Sequence, residues 1–117
     1  MMAEKVILAY PWGPEEETRA ETLLYLAATG RDMGLDMTIF FFVDGVLLTK
    51  KGVTEIIGGK VDEGMKDAIE TGIKVYACEA SVRSKGFVKE DLLEGVEIIG
   101  YVSFLDMALE AKTVITI

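Results

Sequence analysis

Cys78 is the one strong soft nucleophile in the sequence. It stands where a β-branched run gives way to a polar one: Ile73-Lys74-Val75-Tyr76-Ala77-Cys78-Glu79-Ala80-Ser81-Val82-Arg83. That pattern puts the sulfur where a parallel strand should end and a helix begin. In open α/β sheets, ligands bind outside the carboxyl ends of the strands. The thiolate is the reactive form of cysteine, and free backbone N–H groups with nearby cations favour it. Arg83 and Lys85 follow closely enough to supply a cation. Glu79 would act against the thiolate if it faced the sulfur. Because the chain has a single cysteine, it cannot run a two-cysteine redox cycle by itself. A lone thiolate can instead carry a group: a persulfide sulfur, a mixed disulfide or an acyl group. The plainer reading is a small buried hydrophobe, since free cysteine is among the most buried residue types.

Other chemistry is thinly represented. The sequence contains no histidine, which removes histidine-dependent triads and His-ligated metal sites; no metal and no cofactor are expected. Gly58-Gly59-Lys60 lacks the spacing and the Ser/Thr of a phosphate-binding Walker loop, so nucleotide binding has little support. Tyr10, Pro11 and Trp12 should end the first strand on the same edge of the sheet as Cys78. They either fill packing space or an interface, or wall the pocket around the sulfur. The pairs Asp62/Glu63 and Glu90/Asp91 read as solvated helix starts rather than acid–base dyads.

The elements that must position these residues follow from hydrophobic periodicity. Lys5 to Tyr10 reads as a buried first strand, ended by the prolines of Pro11-Trp12-Gly13-Pro14. A helix is predicted over Glu16 to Asp32, with Ala20, Leu23, Leu24, Leu26 and Ala27 inward and Gly34 as its cap. Met37 to Val43 is the second strand, apolar on both faces and therefore central. Val46 to Gly52 reads as a short helix, and Val53 to Lys60 as a mobile loop because of its two glycines. Asp62 is the expected N-cap of a helix over Glu63 to Thr71. Ile73 to Ala77 is the third strand, Glu79 to Lys85 and Val88 to Glu94 short helices, and Val96 to Ile99 the fourth strand. A last helix is predicted over Ser103 to Ala111, with Phe104, Ala108 and the Leu105/Leu109 pair inward. Thr113 to Ile117 ends the chain as a strand at a sheet edge. Strands alternating with helices imply βαβ units, a parallel sheet and helices on both faces.

Length and composition bound the rest. The 117 residues suit one domain. Net charge is −8, which disfavours nucleic acid, whose binding needs a basic footprint, and also anionic membrane surfaces. No apolar run approaches the ~20 residues of a membrane span, and Met1 to Tyr10 lacks a signal-peptide layout. A lone cysteine fits a reducing compartment, so a cytoplasmic location is expected. Half the residues are apolar. At this size that excess points to a buried interface between copies of the chain, a homo-oligomer, or more plainly to a sheet covered on both faces.

From Val75 to Val102 the pattern resembles the DsrE/DsrF-like family. A strand ends in Cys78, followed by Glu79-Ala80-Ser81-Val82-Arg83-Ser84-Lys85-Gly86, then Asp91-Leu92-Leu93-Glu94-Gly95-Val96, then a strand and a final helix. The sharpest feature is the C-x-x-S-x-R layout of Cys78, Ser81 and Arg83, and the element order extends the resemblance over most of the chain. It implies a single domain over residues 1–117: a three-layer α/β/α sandwich with a five-stranded, mostly parallel sheet, assembled into trimers or hexamers. It also implies a cytoplasmic sulfurtransferase-like protein. The cysteine at the position of Cys78 would accept sulfane sulfur as a persulfide and pass it to partner proteins of a sulfur relay. Ser81 and Arg83 would help set an anion-friendly environment. The residues leave open a second class, a non-catalytic homo-oligomer that binds a small ligand or a partner and keeps Cys78 as a structural residue.

Overall fold

Residues 3–117, described by a computed structural model, alternate strand and helix from end to end. Lys5–Tyr10 forms β1, Glu17–Asp32 α1, Asp36–Phe41 β2, Val53–Ile57 α2 and Gly59–Glu70 α3. Lys74–Cys78 forms β3, Glu79–Ser84 α4, Val96–Ile99 β4, Tyr101–Glu110 α5 and Thr113–Thr116 β5. Short 3-10 turns occupy Val43–Thr49 and Lys89–Asp91. The five strands lie in the order β4-β3-β2-β1-β5, and every pairing is parallel.

This order sets the layers. Right-handed crossovers that step outward from β1 to β2 to β3 keep their helices on one face, and the return from β4 to β5 sends α5 to the other. Side chains alternate across a strand. Val6, Leu8 and Tyr10 of β1 and Met37, Ile39 and Phe41 of β2 therefore face α1; the Met37 thioether packs against Gly30 of that helix. Ile7, Phe40 and Tyr76 face α5, whose Phe104 ring stacks on Phe40 at 4.2 Å between centroids. The α1 face is sealed: Leu8, Tyr10, Ile39 and Phe41 have no solvent exposure. The α5 face is thinly covered. No residue of α5 is buried, and all four residues of β5 are exposed. Among the described residues no helix is long and apolar enough to cross a membrane.

Several expected boundaries move, each for a physical reason. The stretch Val53 to Lys60 is not a loop: α2 occupies its first half, because Thr54 is buried and Val53 and Ile57 pack against the core. The glycines form the joint to α3, both with positive φ (Gly58 72°, Gly59 52°). The next helix therefore begins at Gly59, and Asp62 is not its cap. Its carboxylate accepts from Thr54 Oγ1 at 3.0 Å and from Lys66 Nζ at 2.8 Å, tying α2 to α3. Val88 to Glu94 and Val46 to Gly52 yield only 3-10 turns. On α5 the inward residues are Phe104, Met107 and Ala108; Leu105 and Leu109 are exposed, as is Leu26 on α1.

Candidate functional site

The pleat of β3 sends Lys74, Tyr76 and Cys78 toward the α5 side of the sheet. Cys78 is its last residue, in register with Ile99 of β4. Its backbone remains extended (φ −67°, ψ 123°) as the chain turns into α4. The side chain has no solvent exposure. A cleft of about 440 Å³ lies above it, lined by Val43, Asp44, Ala80, Ser81, Ser84, Lys85 and Tyr101. Ala80, Ser81 and Tyr101 both floor that cleft and reach the sulfur.

The electrostatics of the sulfur are a contest. Burial pushes the thiol up and is the largest single influence. The Ser81 hydroxyl, the Ser81 amide, the Tyr101 hydroxyl and the Ala80 amide act the other way, and together they hold Cys78 below its ordinary value. Tyr101 is pushed up by the same interaction, because its proton is the one shared with the sulfur. The resting thiol makes no strict N-cap hydrogen bond to α4. The Ala80 and Ser81 amides thus act mainly as oriented dipoles, whose effect grows once the sulfur is charged.

The cleft also holds an unusual backbone. Val43 has φ 52° and is the one non-glycine residue with positive φ among those described. A β-branched side chain in that region costs about 1–3 kcal/mol. Its N–H donates to Ser81 Oγ at 2.8 Å. Next to it, Asp44 accepts from Lys85 Nζ at 2.7 Å, clipping the turn to the end of α4.

The structure brings together some of the expected site residues and separates others. Ser81 lines the cleft and lowers the Cys78 thiol. Arg83 lies on the outer side of α4, largely exposed, paired with Glu79 at 3.4 Å. It lines a different depression, with Phe87, Val88 and Ile98. Tyr10 shares the carboxyl edge with Cys78 but points to the opposite face of the sheet. Its hydroxyl donates to the Glu16 carbonyl at 3.4 Å, and its ring meets Phe41 edge-on. Trp12 lies at the β1/β5 edge, its indole N–H donating to the Ile117 carbonyl at 2.8 Å, with Arg19 over its ring. Tyr101 and the Val43–Asp44 turn belong to the site and were not foreseen. Tyr101 could have been found by noting that it opens the segment after β4, the strand beside Cys78; the last helix was expected to begin two residues later. A separate groove of about 240 Å³ between α1 and α3, lined by Leu24, Tyr25, Ala28 and Gly64 among others, has no cysteine or serine in its lining. Among the described residues no group of His, Cys, Asp and Glu could hold a metal ion.

Comparison with known proteins agrees with this architecture. The model of the DsrE/DsrF-like family matches residues 4–117. The uncharacterized protein MK0008 of Methanopyrus kandleri is 34% identical over 110 residues, covering 94% of this chain and 88% of the relative. The uncharacterized protein MJ0989 of Methanocaldococcus jannaschii is 30% identical over 111 residues, covering 95% of each. Among solved structures, the ychN protein of E. coli superposes with a TM-score of 0.85 at 24% identity, covering 99% of this chain and all of that one. A protein of unknown function from Methanobacterium thermoautotrophicum, MTH1491, superposes with a TM-score of 0.74 at 18% identity, covering 97% of this chain and 99% of the other. These structures share the fold.

Proposed function

Because this chain belongs to the DsrE/DsrF-like family, we propose that it is a cytoplasmic sulfurtransferase-like carrier whose Cys78 accepts sulfane sulfur and relays it as a persulfide. The observation that supports this most is the placement of two hydroxyls, Ser81 and Tyr101, against a strand-end thiol beneath an open cleft. Hydroxyl and amide donors stabilise the anion that must attack. The Cys78 thiolate attacks the outer sulfur of a donor persulfide R–S–SH. The new S–S bond forms as the donor's S–S bond breaks, and R–S⁻ leaves with the electron pair. An acceptor thiolate then attacks the outer sulfur of Cys78–S–SH, and Cys78 leaves as the thiolate. Neither step needs an outside oxidant or reductant, which suits a chain with a single cysteine. Treatment with a persulfide donor is expected to add the mass of one sulfur, reversibly by dithiothreitol, and Cys78→Ser is expected to add none. No gain on the wild type, or an equal gain on the variant, ends the proposal.

A second reading rests on the full burial of the sulfur. In it, Cys78 is a core residue of a non-catalytic oligomer that binds a small ligand or a partner. The same mass measurement separates the two, since a sealed thiol gains sulfur only on unfolding.

Either reading calls for assembly, and we propose a homo-oligomer, a trimer or hexamer, built on the α5–β5 side. Val102, Leu105, Leu109, Val114 and Ile115 are all exposed there, and exposed apolar patches mark interaction surfaces. The unpaired edge of β5 adds a row of free backbone groups. Sedimentation equilibrium is expected to show several chains per particle, and Leu105→Glu with Leu109→Glu is expected to dissociate it. A wild type that sediments as a monomer overturns this.

A further inference from the structure

We propose that β5 is the seam of the assembly: its free edge pairs antiparallel with β5 of a second copy across a two-fold axis, joining two five-stranded sheets into one of ten strands. The two edges of the sheet differ. β4 carries the charge of Glu97, and its other side chains are at least partly covered; a charge is one of the devices by which native edges avoid pairing. β5 reads Thr113-Val114-Ile115-Thr116, with no charge and no proline, in unbroken register with β1. All four of its residues are exposed. It is also bare on both faces. Val114 lies beside Ile7, on the α5 side, and Ile115 beside Leu8, on the α1 side, and they are 39% and 40% exposed. An occupant must offer backbone groups to the edge and apolar side chains to both faces at once.

The backbone groups at this edge can be assigned. The Asp36 N–H donates to the Glu4 carbonyl and the Phe42 N–H to the Tyr10 carbonyl, so the even residues of β1 turn toward β2 and the odd ones toward β5. Ile7 then bonds the two residues that flank its partner Val114, which are Thr113 and Ile115. Val114 and Thr116 are left to present N–H and C=O outward. The end of the strand agrees. The Ile117 carbonyl turns back toward Pro11, which has no N–H to give, and the Trp12 indole supplies the bond at 2.8 Å. A second β5, run antiparallel, meets the outward groups with its own. Opposite residues share a face of a sheet, so registers that set Val114 against the partner's Val114 or the partner's Thr116 match every face.

Charge favours the same arrangement. Each copy carries −8, and two copies repel least where the meeting strands are neutral. The antiparallel direction also brings Lys112 to the far end of the partner strand. Lys112 is exposed at the start of β5 and has no carboxylate partner among the described residues. At that far end Trp12 holds Ile117, Arg19 lies over Trp12, and Glu16 of the run Glu15-Glu16-Glu17 pairs with Arg19 at 3.5 Å. The same strands run parallel would set lysine beside lysine. A two-fold contact is isologous, so the particle holds an even number of chains; of the trimer and the hexamer, it selects the hexamer.

This seam rests on the homo-oligomer proposed above and adds which strand joins the copies. Sedimentation of Val114→Pro and Val114→Ala tests it. Both variants lose the valine side chain, but only the proline loses the outward N–H, at an edge position where the fold itself does not use it. Val114→Pro is expected to keep the circular dichroism of the wild type and to associate at least about tenfold more weakly than Val114→Ala. Equal association of the two folded variants, or a wild-type particle with an odd number of chains, overturns the seam and leaves the assembly standing. A monomeric wild type overturns both. Should Val114→Pro fail to fold, amide exchange in the assembled wild type decides. The Val114 and Thr116 N–H groups are expected to be protected as well as those of Thr113 and Ile115, and exchange at the rate of an open chain refutes the pairing.

Discussion

Phe40→Ala is expected to lower the unfolding free energy by about 3–5 kcal/mol and, in the protein that remains folded, to speed labelling of Cys78 by a thiol reagent. Phe40 is nearly fully buried on β2, the central strand of the sheet. Its ring stacks on Phe104 of α5 at 4.2 Å and on Phe42 at 5.7 Å. Truncation removes an aromatic ring and leaves a void under α5, which the facing side chains can fill only by drawing the helix inward or letting it tilt. The stability loss follows from the void. The labelling change follows from the lever: α5 begins with Tyr101, whose hydroxyl acts on the Cys78 thiol and which lines the cleft. α5 buries no residue fully, and the stack on Phe40 is one of the contacts that anchor it to the sheet. Denaturant melts measure the first effect and labelling rates under native conditions the second. A loss below about 1 kcal/mol would mean that the stack carries little packing energy. Unchanged labelling would mean that the lid over the sulfur does not depend on α5.

The same geometry reconciles a buried sulfur with a reactive one. Full burial alone makes a thiol inert, and desolvation is indeed the strongest influence on Cys78. What differs here is its neighbours. Ser81 and Tyr101, which act on the thiol, also line an open cleft. Tyr101, which lines that cleft, is itself more than half exposed. Movement of one side chain at the start of a lightly held helix is a small opening, of the kind that folded proteins undergo without unfolding.

The layers were readable because continuous apolar strands alternate with 3.6-period helices, and that alternation leaves few topologies. Strands β1 and β4 fell where expected to the residue. Two kinds of information were out of reach. One was local: Val53-Thr54-Glu55-Ile56-Ile57 is a poor helix former by intrinsic preference, and burial of Thr54 overrides that preference only once α3 is in place to receive it. The other was angular. Knowing that Tyr10 and Cys78 lie at one edge of the sheet says nothing of which face each points to; that depends on the register across β2. Tyr10 pairs with Phe41, and Phe41 with Ala77, so Tyr10 shares a face with Ala77, and Cys78, one residue on, faces the other way. Arg83 failed to meet the sulfur for a similar reason. In the helix that follows Cys78, Ser81 falls on the inner side and Arg83, two residues further round, on the outer.

Tyr10 therefore belongs to the core, and its expected signature is alkaline instability rather than altered thiol chemistry. Burial, then the negative charges of Glu16 and Glu15 with Arg19 opposing, push its phenol from 10.0 up to about 12. A raised folded value means that the fold favours the neutral phenol. That preference is fully present below pH 10, fades as the pH climbs, and is lost as it passes 12. Across that window the wild type is expected to lose about 2–3 kcal/mol of stability through this one group. Tyr76 and Tyr101 are also raised and will add to the decline, but they do so equally in Tyr10→Phe. The difference between the two proteins thus isolates Tyr10. At neutral pH the variant is expected to be slightly less stable, by about 0.5 kcal/mol, since it loses only the long bond to the Glu16 carbonyl. Near pH 12 it is expected to be the more stable protein, so the two stability curves cross. Curves that run parallel would show that this phenol ionises in the fold as readily as in water. The thiolate titration of Cys78 is expected to be the same in both proteins, because the sheet itself stands between the phenol and the sulfur.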